Sequence, residues 1–385
     1  MAQIVPPLAA VLADFPNFRD PRGVRHPLCA VLLLSCVAML CGARGESAIA
    51  AWAENYGEAW RTPLGFTRPD GPSQSTVQRV FKGLDCALLE TRLGQWAAQV
   101  VAHCPNPPHA PLPLEAMAID GKTLRGSAKC GAEDAQLLSA FSQRLGVVLG
   151  QVAVPDKTNE ITAIDGCPLG SMLTRLVLTG WVVTTDALFT QTDIAQAIYD
   201  AGGNYLMAVK GNQPTLHDTL TLLFADPEAP YVQAEERRMH GGRIERRVLR
   251  ASSELMGCTD WPGLAQAVCV ERRVTRKATG ETRTDVAYAI TSLAPTVATP
   301  AQLLVLWREH WGIENKLHWI RDVTFDEDRS TVRAGNIPQV MAALRSTAIS
   351  VARLHEATNI AAACRRYAAQ PALALAAVGL TLDFE

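Results

Sequence analysis

Between Cys104 and Leu114, five of the residues are proline. Proline fixes φ and has no N–H to donate, so neither a helix nor a central strand runs through such a stretch, which reads as an extended linker and the best domain boundary in the chain. The two sides differ in periodicity. Residues 1–103 read as helical. Leu28–Cys41 is an unbroken apolar run, shorter than the roughly 20 residues of a membrane span, and predicts a buried helix. Ser47–Tyr56 sets Ile49, Trp52 and Ala53 on one side of a second helix. Ser73 is a credible N-cap for a third, with Val77, Val80, Phe81 and Leu84 at helical spacing and Gln74, Gln78, Arg79 and Lys82 opposite. That polar face has two readings. One is a helix-turn-helix DNA reader that includes Arg79; the other is an ordinary solvated face.

Strand signals start directly after the prolines. Glu115–Asp120, Leu137–Gln143 and Val147–Val154 suit a three-stranded antiparallel meander. Gly180–Thr185 is an apolar strand ending at Asp186, Gln191–Asp200 a helix, and Tyr205–Val209 a strand ending at Lys210. The order β-β-β-α-β-α-β matches a ribonuclease-H-like arrangement in which Asp120 and Asp186 both close strands, where ligands gather in open α/β sheets. From 226 to 297 the segments Arg243–Leu249, Gln266–Thr275 and Asp285–Thr291 are β-branched, which predicts a β-rich insertion, and helical sequence resumes at Pro300.

Composition bounds the chemistry. The formal net charge is −2 and the pI about 6.5, so no global basic field draws this chain to nucleic acid. Basic residues are instead local, in 236–247 and 272–277. Ten cysteines show no C-x-x-C pair, and Cys29, Cys36 and Cys41 read as small core hydrophobes. With no signal peptide, a reducing cytoplasm is expected, and no membrane segment. There is no P-loop, no G-x-S-x-G and no dinucleotide fingerprint.

Asp120, Asp186 and Glu314 are the acids on regular elements. Hard cations take oxygen ligands, and two Mg²⁺ ions roughly 4 Å apart can drive in-line attack on a phosphodiester. A lone Asp after a strand is equally a turn starter or helix cap, so the sum of the three carries the suggestion. Trp307, His310, Trp311, Glu314, Leu317, His318 and Arg321 fall on one helical face, which suits a metal ligand flanked by phosphate contacts and stacking surfaces. A surface helix with Glu314 paired to His310 or His318 is the plainer reading. Asp322, Asp326, Glu327 and Asp328 are rival ligands whose crowding looks like a solvated turn. Lys157 and Asn159 could reach DNA and Glu160 assist a metal, though a capped helix start explains them too.

Several motifs now line up: Asp20-Pro21-Arg22-Gly23-Val24-Arg25-His26-Pro27-Leu28; Asp120-Gly121-Lys122 with Arg125-Gly126-Ser127; Lys157-Thr158-Asn159-Glu160-Ile161; Asp186-Ala187-Leu188 with Thr190-Gln191; Lys210-Gly211-Asn212-Gln213; His240-Gly241-Gly242-Arg243-Ile244-Glu245; and His310-Trp311-Gly312-Ile313-Glu314-Asn315 with Leu317-His318-Trp319 and Asp322-Val323. On these the chain resembles, over nearly its whole length, the insertion-sequence DDE transposases of the ISAs type, also called H-repeat-associated proteins. The resemblance implies a ribonuclease-H-like core, a metal-binding catalytic triad of Asp120, Asp186 and Glu314, a β insertion before the glutamate, and DNA transposition. The wider superfamily's Tyr, Arg, Glu, Lys signature reads here Trp307, His310, Glu314 and Arg321. Phe189 stands where a histidine is expected, and Gly241-Gly242 carries one glycine more than the pattern.

The resulting expectation is an α/β chain: a ribonuclease-H-like mixed-sheet catalytic core, a β-rich insertion and an N-terminal helical domain. Its parts would be a helical, DNA-binding domain at 1–103, a linker at 104–114, the core at 115–225, the insertion at 226–297, and core completion with C-terminal helices at 298–385. Two Mg²⁺ ions, with Mn²⁺ as substitute, would be the cofactors. Lys122, Arg125, Lys157, Lys210, Gln213, Arg243, Trp311, His318, Trp319, Arg321 and Arg79 would contact DNA. Partners would be the element's terminal inverted repeats and target DNA, with a homodimer on DNA by the symmetry of paired ends, in the bacterial cytoplasm and nucleoid-associated when on DNA. A catalytically silent DNA-binding relative and a general nuclease are the competing functions.

Overall fold

The computed structural model describes residues 6–56, 58–107, 112–125, 127, 134–154 and 168–380. The chain divides into two compact units. The first holds Met1–Pro105, Gly121–Lys157 and Glu314–Glu385; the second holds Asn106–Asp120 and Thr158–Ile313.

The helices expected before the prolines are present as α1 (Leu8–Ala13), α2 (Leu28–Leu40), α3 (Glu46–Asn55), α4 (Glu58–Arg61), α5 (Gln74–Gly83) and α6 (Cys86–His103). Helix α2 has no polar face because it needs none: every residue from Ala30 to Leu40 is buried. Full burial of side chains such as Leu32, Leu34 and Met39 stabilises by about 1.5–3 kcal/mol each. Helix α5 begins after the extended backbone of Ser73 and buries Val77, Val80 and Phe81, as its spacing dictates. No helix among the described residues is long and apolar enough to cross a membrane.

Next come β1 (Glu115–Thr123), β2 (Gln136–Ser142) and β3 (Val148–Val154), then α7 (Pro168–Leu173), β4 (Trp181–Thr185), α8 (Thr192–Asp200), β5 (Asn204–Val209) and α9 (Pro214–Ala225). The insertion follows as β6 (Val232–His240), β7 (Arg243–Ser252), β8 (Gln266–Arg276) and β9 (Thr282–Thr291), then α10 (Pro300–His310), α11 (Trp319–Val323), α12 (Ile337–Leu354), α13 (Ile360–Ala369) and α14 (Pro371–Ala377).

The strand order is β3-β2-β1-β4-β5-β9-β8-β7-β6. β1, β4 and β5 are parallel, and everything from β5 outward to β6 is antiparallel. The inserted strands therefore extend the sheet through β9 on β5. β6 carries no strand signal in the sequence, because it is almost wholly exposed and has Glu235, Glu236, Arg237 and Arg238 where a half-buried strand would alternate. Gly241 and Gly242, at φ 55° and 75°, form the two-residue turn between His240 and Arg243. Two successive positive φ angles match the right-handed twist of a hairpin and suit glycine, which explains the extra glycine noted above.

In the second unit Val182, Leu206, Leu249 and Val268 of the sheet pack with Leu303 and Leu306 of α10. That helix starts with a capping box, the Thr299 side chain accepting from the Gln302 N–H while the Gln302 side chain accepts from the Thr299 N–H, and Pro300 follows the cap. Thr299→Ala is expected to cost about 1 kcal/mol without altering the fold, measurable as a small fall in Tm; an unchanged Tm would show the cap to be redundant.

Candidate active site

The second unit holds the first two acids. Ile119 of β1 lies opposite Thr185 of β4 in parallel register. Asp120 and Asp186 are the next residues on each strand, so the two carboxylates leave neighbouring strands, about 4.8 Å apart, at the same edge of the sheet. Asp186 also ends β4, and its Oδ1 accepts from the Leu188 N–H at 3.0 Å, capping the short 3₁₀ turn Ala187–Phe189. Asn212 Nδ2 donates to Ala187 O at 2.6 Å, and Gln213 Nε2 donates to Thr190 O at 3.0 Å. The loop after β5 thereby clamps the loop after β4. Gln213, expected to touch DNA, spends its amide on this clamp. Lys210 is exposed at the end of β5.

Beyond that edge the insertion runs on. β9 pairs with β5 only from Tyr288 to Thr291, yet begins at Thr282. Six residues of strand reach past Val209, about 20 Å, and β8, β7 and β6 accompany them. This arm runs on in the direction in which β1 and β4 reach Asp120 and Asp186. Its arginines outnumber its acids: Glu235 faces Arg237 at 2.7 Å and Arg246 at 2.5 Å, while Glu245 faces Arg247 at 3.0 Å and also Arg272. Arg243 is exposed at the tip.

Helix α10 ends at His310, whose Nδ1 lies 3.0 Å from Thr184 Oγ1, one residue before the Thr185 that pairs with Ile119. Burial lowers His310 to about pKa 4 against the opposing Thr184 bond, so it is neutral at physiological pH. It ties α10 to β4. The single long face expected from Trp307 to Arg321 is thus interrupted: Trp307 packs on the core, and Trp311 is 44% exposed.

The first unit holds the rest. Glu314–His318 is a π-helical turn, a feature frequent at functional sites. Glu314 is exposed, with His318 Nδ1 at 4.0 Å from its Oε2, too long for a hydrogen bond. His318 is buried; its burial, with Arg321 and Lys122 nearby, brings it to about pKa 3. It is a neutral imidazole, too enclosed for the DNA contact expected of it. Trp319 is 57% exposed.

Two more expected DNA contacts are internal ion pairs. Lys122, two residues beyond Asp120 on β1, places its ammonium 2.6 Å from Asp322 and 3.4 Å from Asp328, its side chain 8% exposed. Arg321 is fully buried and meets Glu327 at 2.8 Å, whose other oxygen meets Arg345 at 2.9 Å. The acids at 322–328 are therefore a partly buried charge network and not a solvated turn. No local sequence signal marks the Lys122 pairs, because Asp322 and Asp328 lie far from it in the chain. Arg125 is largely exposed, with Asp328 at 3.7 Å, and Arg79 is exposed on α5. Ser127 Oγ accepts from the Ala135 N–H at 2.8 Å, a loop closure. Lys157, with Asn159 and Glu160, lies outside the described residues.

Hard divalent cations take carboxylate oxygens such as those that Asp120 and Asp186 bring to neighbouring strands of the second unit; in the first unit the Glu314 carboxylate, near a neutral imidazole, is a donor of the same kind. Residues 111–351 match the family described as Transposase DDE domain, and residues 9–97 match the DDE_Tnp_1-associated family. The chain belongs to the transposase DDE-domain family. It is similar to the "H repeat-associated putative transposase YhhI" of Escherichia coli (strain K12), 33% identical over 362 residues, covering 88% of each chain. It is also similar to an uncharacterized protein in the dhlA 3′ region of Xanthobacter autotrophicus, 34% identical over 66% of this chain and 85% of that one. Among solved structures, a piggyBac transposase synaptic complex with hairpin DNA aligns at TM-score 0.40 and 11% identity, over 98% of this chain and 77% of that one.

Proposed function

We propose that this chain is a DDE transposase that binds the ends of an insertion sequence and carries out metal-dependent DNA strand cleavage and strand transfer. The observation that carries the reading is the Ile119–Thr185 register, which sets Asp120 and Asp186 side by side at the carboxyl edge of parallel strands in a chain of this family. The order β3-β2-β1-β4-β5 supports a ribonuclease-H-like core. Asp120, Asp186 and Glu314 would hold Mg²⁺ or Mn²⁺; when bound, the ions supply charge neutralisation and an activated attacking oxygen at the phosphodiester. Asp120 and Asp186 fix their carboxylates through paired backbone, and Asp186 is further held by its cap on Leu188. Lys210 and Arg243 contact phosphates from the end of β5 and the tip of the arm. Trp311 and Trp319 offer stacking faces to unpaired bases. A homodimer would hold the two ends together.

Incubating the purified chain with DNA that carries the sequences flanking its coding region, with and without Mg²⁺ or Mn²⁺, tests this. Metal-dependent cuts at discrete positions are expected. Binding without a cut in any metal would assign a silent regulator, and degradation without positional preference a general nuclease; either result would overturn the proposal.

A further inference from the structure

In the first unit the polar face of α5 lines a cavity of about 800 Å³. Its other walls are the start of α3 and residues 325–334, up to Ile337 at the start of α12. Three helices of 10, 10 and 18 residues begin at this cavity, and none of their N-cap side chains accepts a hydrogen bond from the N–H groups of its own first turn. Helix N-termini present unsatisfied N–H groups and the positive end of the dipole, which favours anions. Five cations line the same space: Arg44, Arg79, Lys82, Arg329 and Arg333. The lining acids are Glu46 and Asp326. Asp326 is shared between Arg44 at 3.7 Å and Arg329 at 2.7 Å, and Glu46 is buried in the first turn of α3. In a chain of formal net charge −2, such a surplus of cations is a local construction.

We propose that this cavity grips the phosphodiester backbone of a DNA strand, so that α5 and the 325–334 segment hold the same phosphates. The proposal rests on the DNA-binding reading above and gives that reading a second surface, built from other residues. Charge here serves affinity and register more than base readout. It departs from a free-standing recognition helix, because residues 325–334 share the space in front of the polar face of α5. Gln74 and Gln78 add neutral donors from the same helix.

Fluorescence anisotropy of a labelled duplex across a salt series tests it, with the full chain and with Arg79→Gln, Lys82→Gln and Arg329→Gln singly and together. Each lost phosphate contact should flatten the slope of log K against log [salt] by about 0.9, so the triple variant should lose roughly 2 to 3. A wild-type slope in a triple variant that keeps its Tm would overturn the cavity. A photocrosslinking residue at Ser75 gives a measurement independent of the charge changes: crosslinks to DNA are expected, and none would count against the proposal. ATP and pyrophosphate, tested as competitors without divalent ions, separate backbone binding from a site for free phosphates; capture of the triphosphate with no DNA crosslink would sink the idea. Absence of any DNA binding by the wild-type chain would fail the functional reading itself, whereas wild-type binding with an unaltered variant slope fails only the cavity.

Discussion

Glu314→Gln, Asp120→Asn and Asp186→Asn should each lower metal-dependent DNA cutting by at least about a hundredfold, the scale of losing one preorganised electrostatic group, while DNA affinity stays close to wild type. The substitutions are chosen to spare the fold. Glu314 is exposed on its π turn and makes no hydrogen bond to His318. Asn at position 186 can still accept from the Leu188 N–H, because Asn and Asp are comparable caps. Asp120 follows the segment of β1 that pairs with β4, and a side-chain change there leaves those backbone bonds untouched. Gel assays of cleavage and anisotropy of binding, run on the same preparations, separate chemistry from recognition. Full cutting by any one variant would remove that acid from the proposed triad.

The second large effect is on stability. Glu327→Gln should lower stability by about 3–5 kcal/mol, the cost of breaking a buried pair and leaving charge uncompensated, and lower Tm by roughly 5–15 °C. Glu327 is 3% exposed and links Arg321, which is fully buried, to Arg345, which also donates to Arg44 O at 2.9 Å. Replacing all three by apolar residues of similar size, as in Arg321→Met with Glu327→Leu and Arg345→Met, should come much closer to wild type, since the desolvation cost disappears with the charges. Burial alone would raise the Glu327 pKa, but the Arg321 and Arg345 charges and hydrogen bonds outweigh it and hold the group below the usual range. A depressed folded-state pKa contributes stability that is present above the unfolded value, near 4.3, and lost as pH falls through the lower folded value. The gap in Tm between wild type and Glu327→Gln should therefore be full at neutral pH and narrow in acid. Equal melting at neutral pH would show that the triad of charges contributes nothing.

Much of this organisation was legible beforehand, for physical reasons that differ by element. Helix α2 declared itself by a solid apolar run, and α5 by apolar residues at helical spacing. Strands β1, β4 and β5 were visible because central parallel strands are apolar runs. Strand β6 was invisible because solvent on its surface removes the alternation that burial imposes. On the helix after Pro300, spacing put Trp307 through Arg321 on one face, but helical periodicity assumes an unbroken helix, and α10 stops at His310 before a π turn. Lys122, His318 and Arg321 looked like DNA contacts because charge and histidine near a proposed site invite that reading. Whether a cation meets phosphate or a carboxylate of its own chain depends on partners 200 residues away, such as Asp322 and Asp328 for Lys122.

By itself, the sequence determined the family, the break at the prolines, the helical and strand-forming stretches on either side, and the strand end at Asp186, since all of these follow from local composition and spacing; Asp120, read as a strand end, lies inside β1, which runs on to Thr123. Only the tertiary structure decided that Asp120 and Asp186 are neighbours, that the insertion lengthens the sheet into an arm running past the end of β5, and that the acids at 322–328 neutralise buried cations. Register, overhang and ion pairing are relations between distant residues, and a chain written in one dimension carries no distance between them.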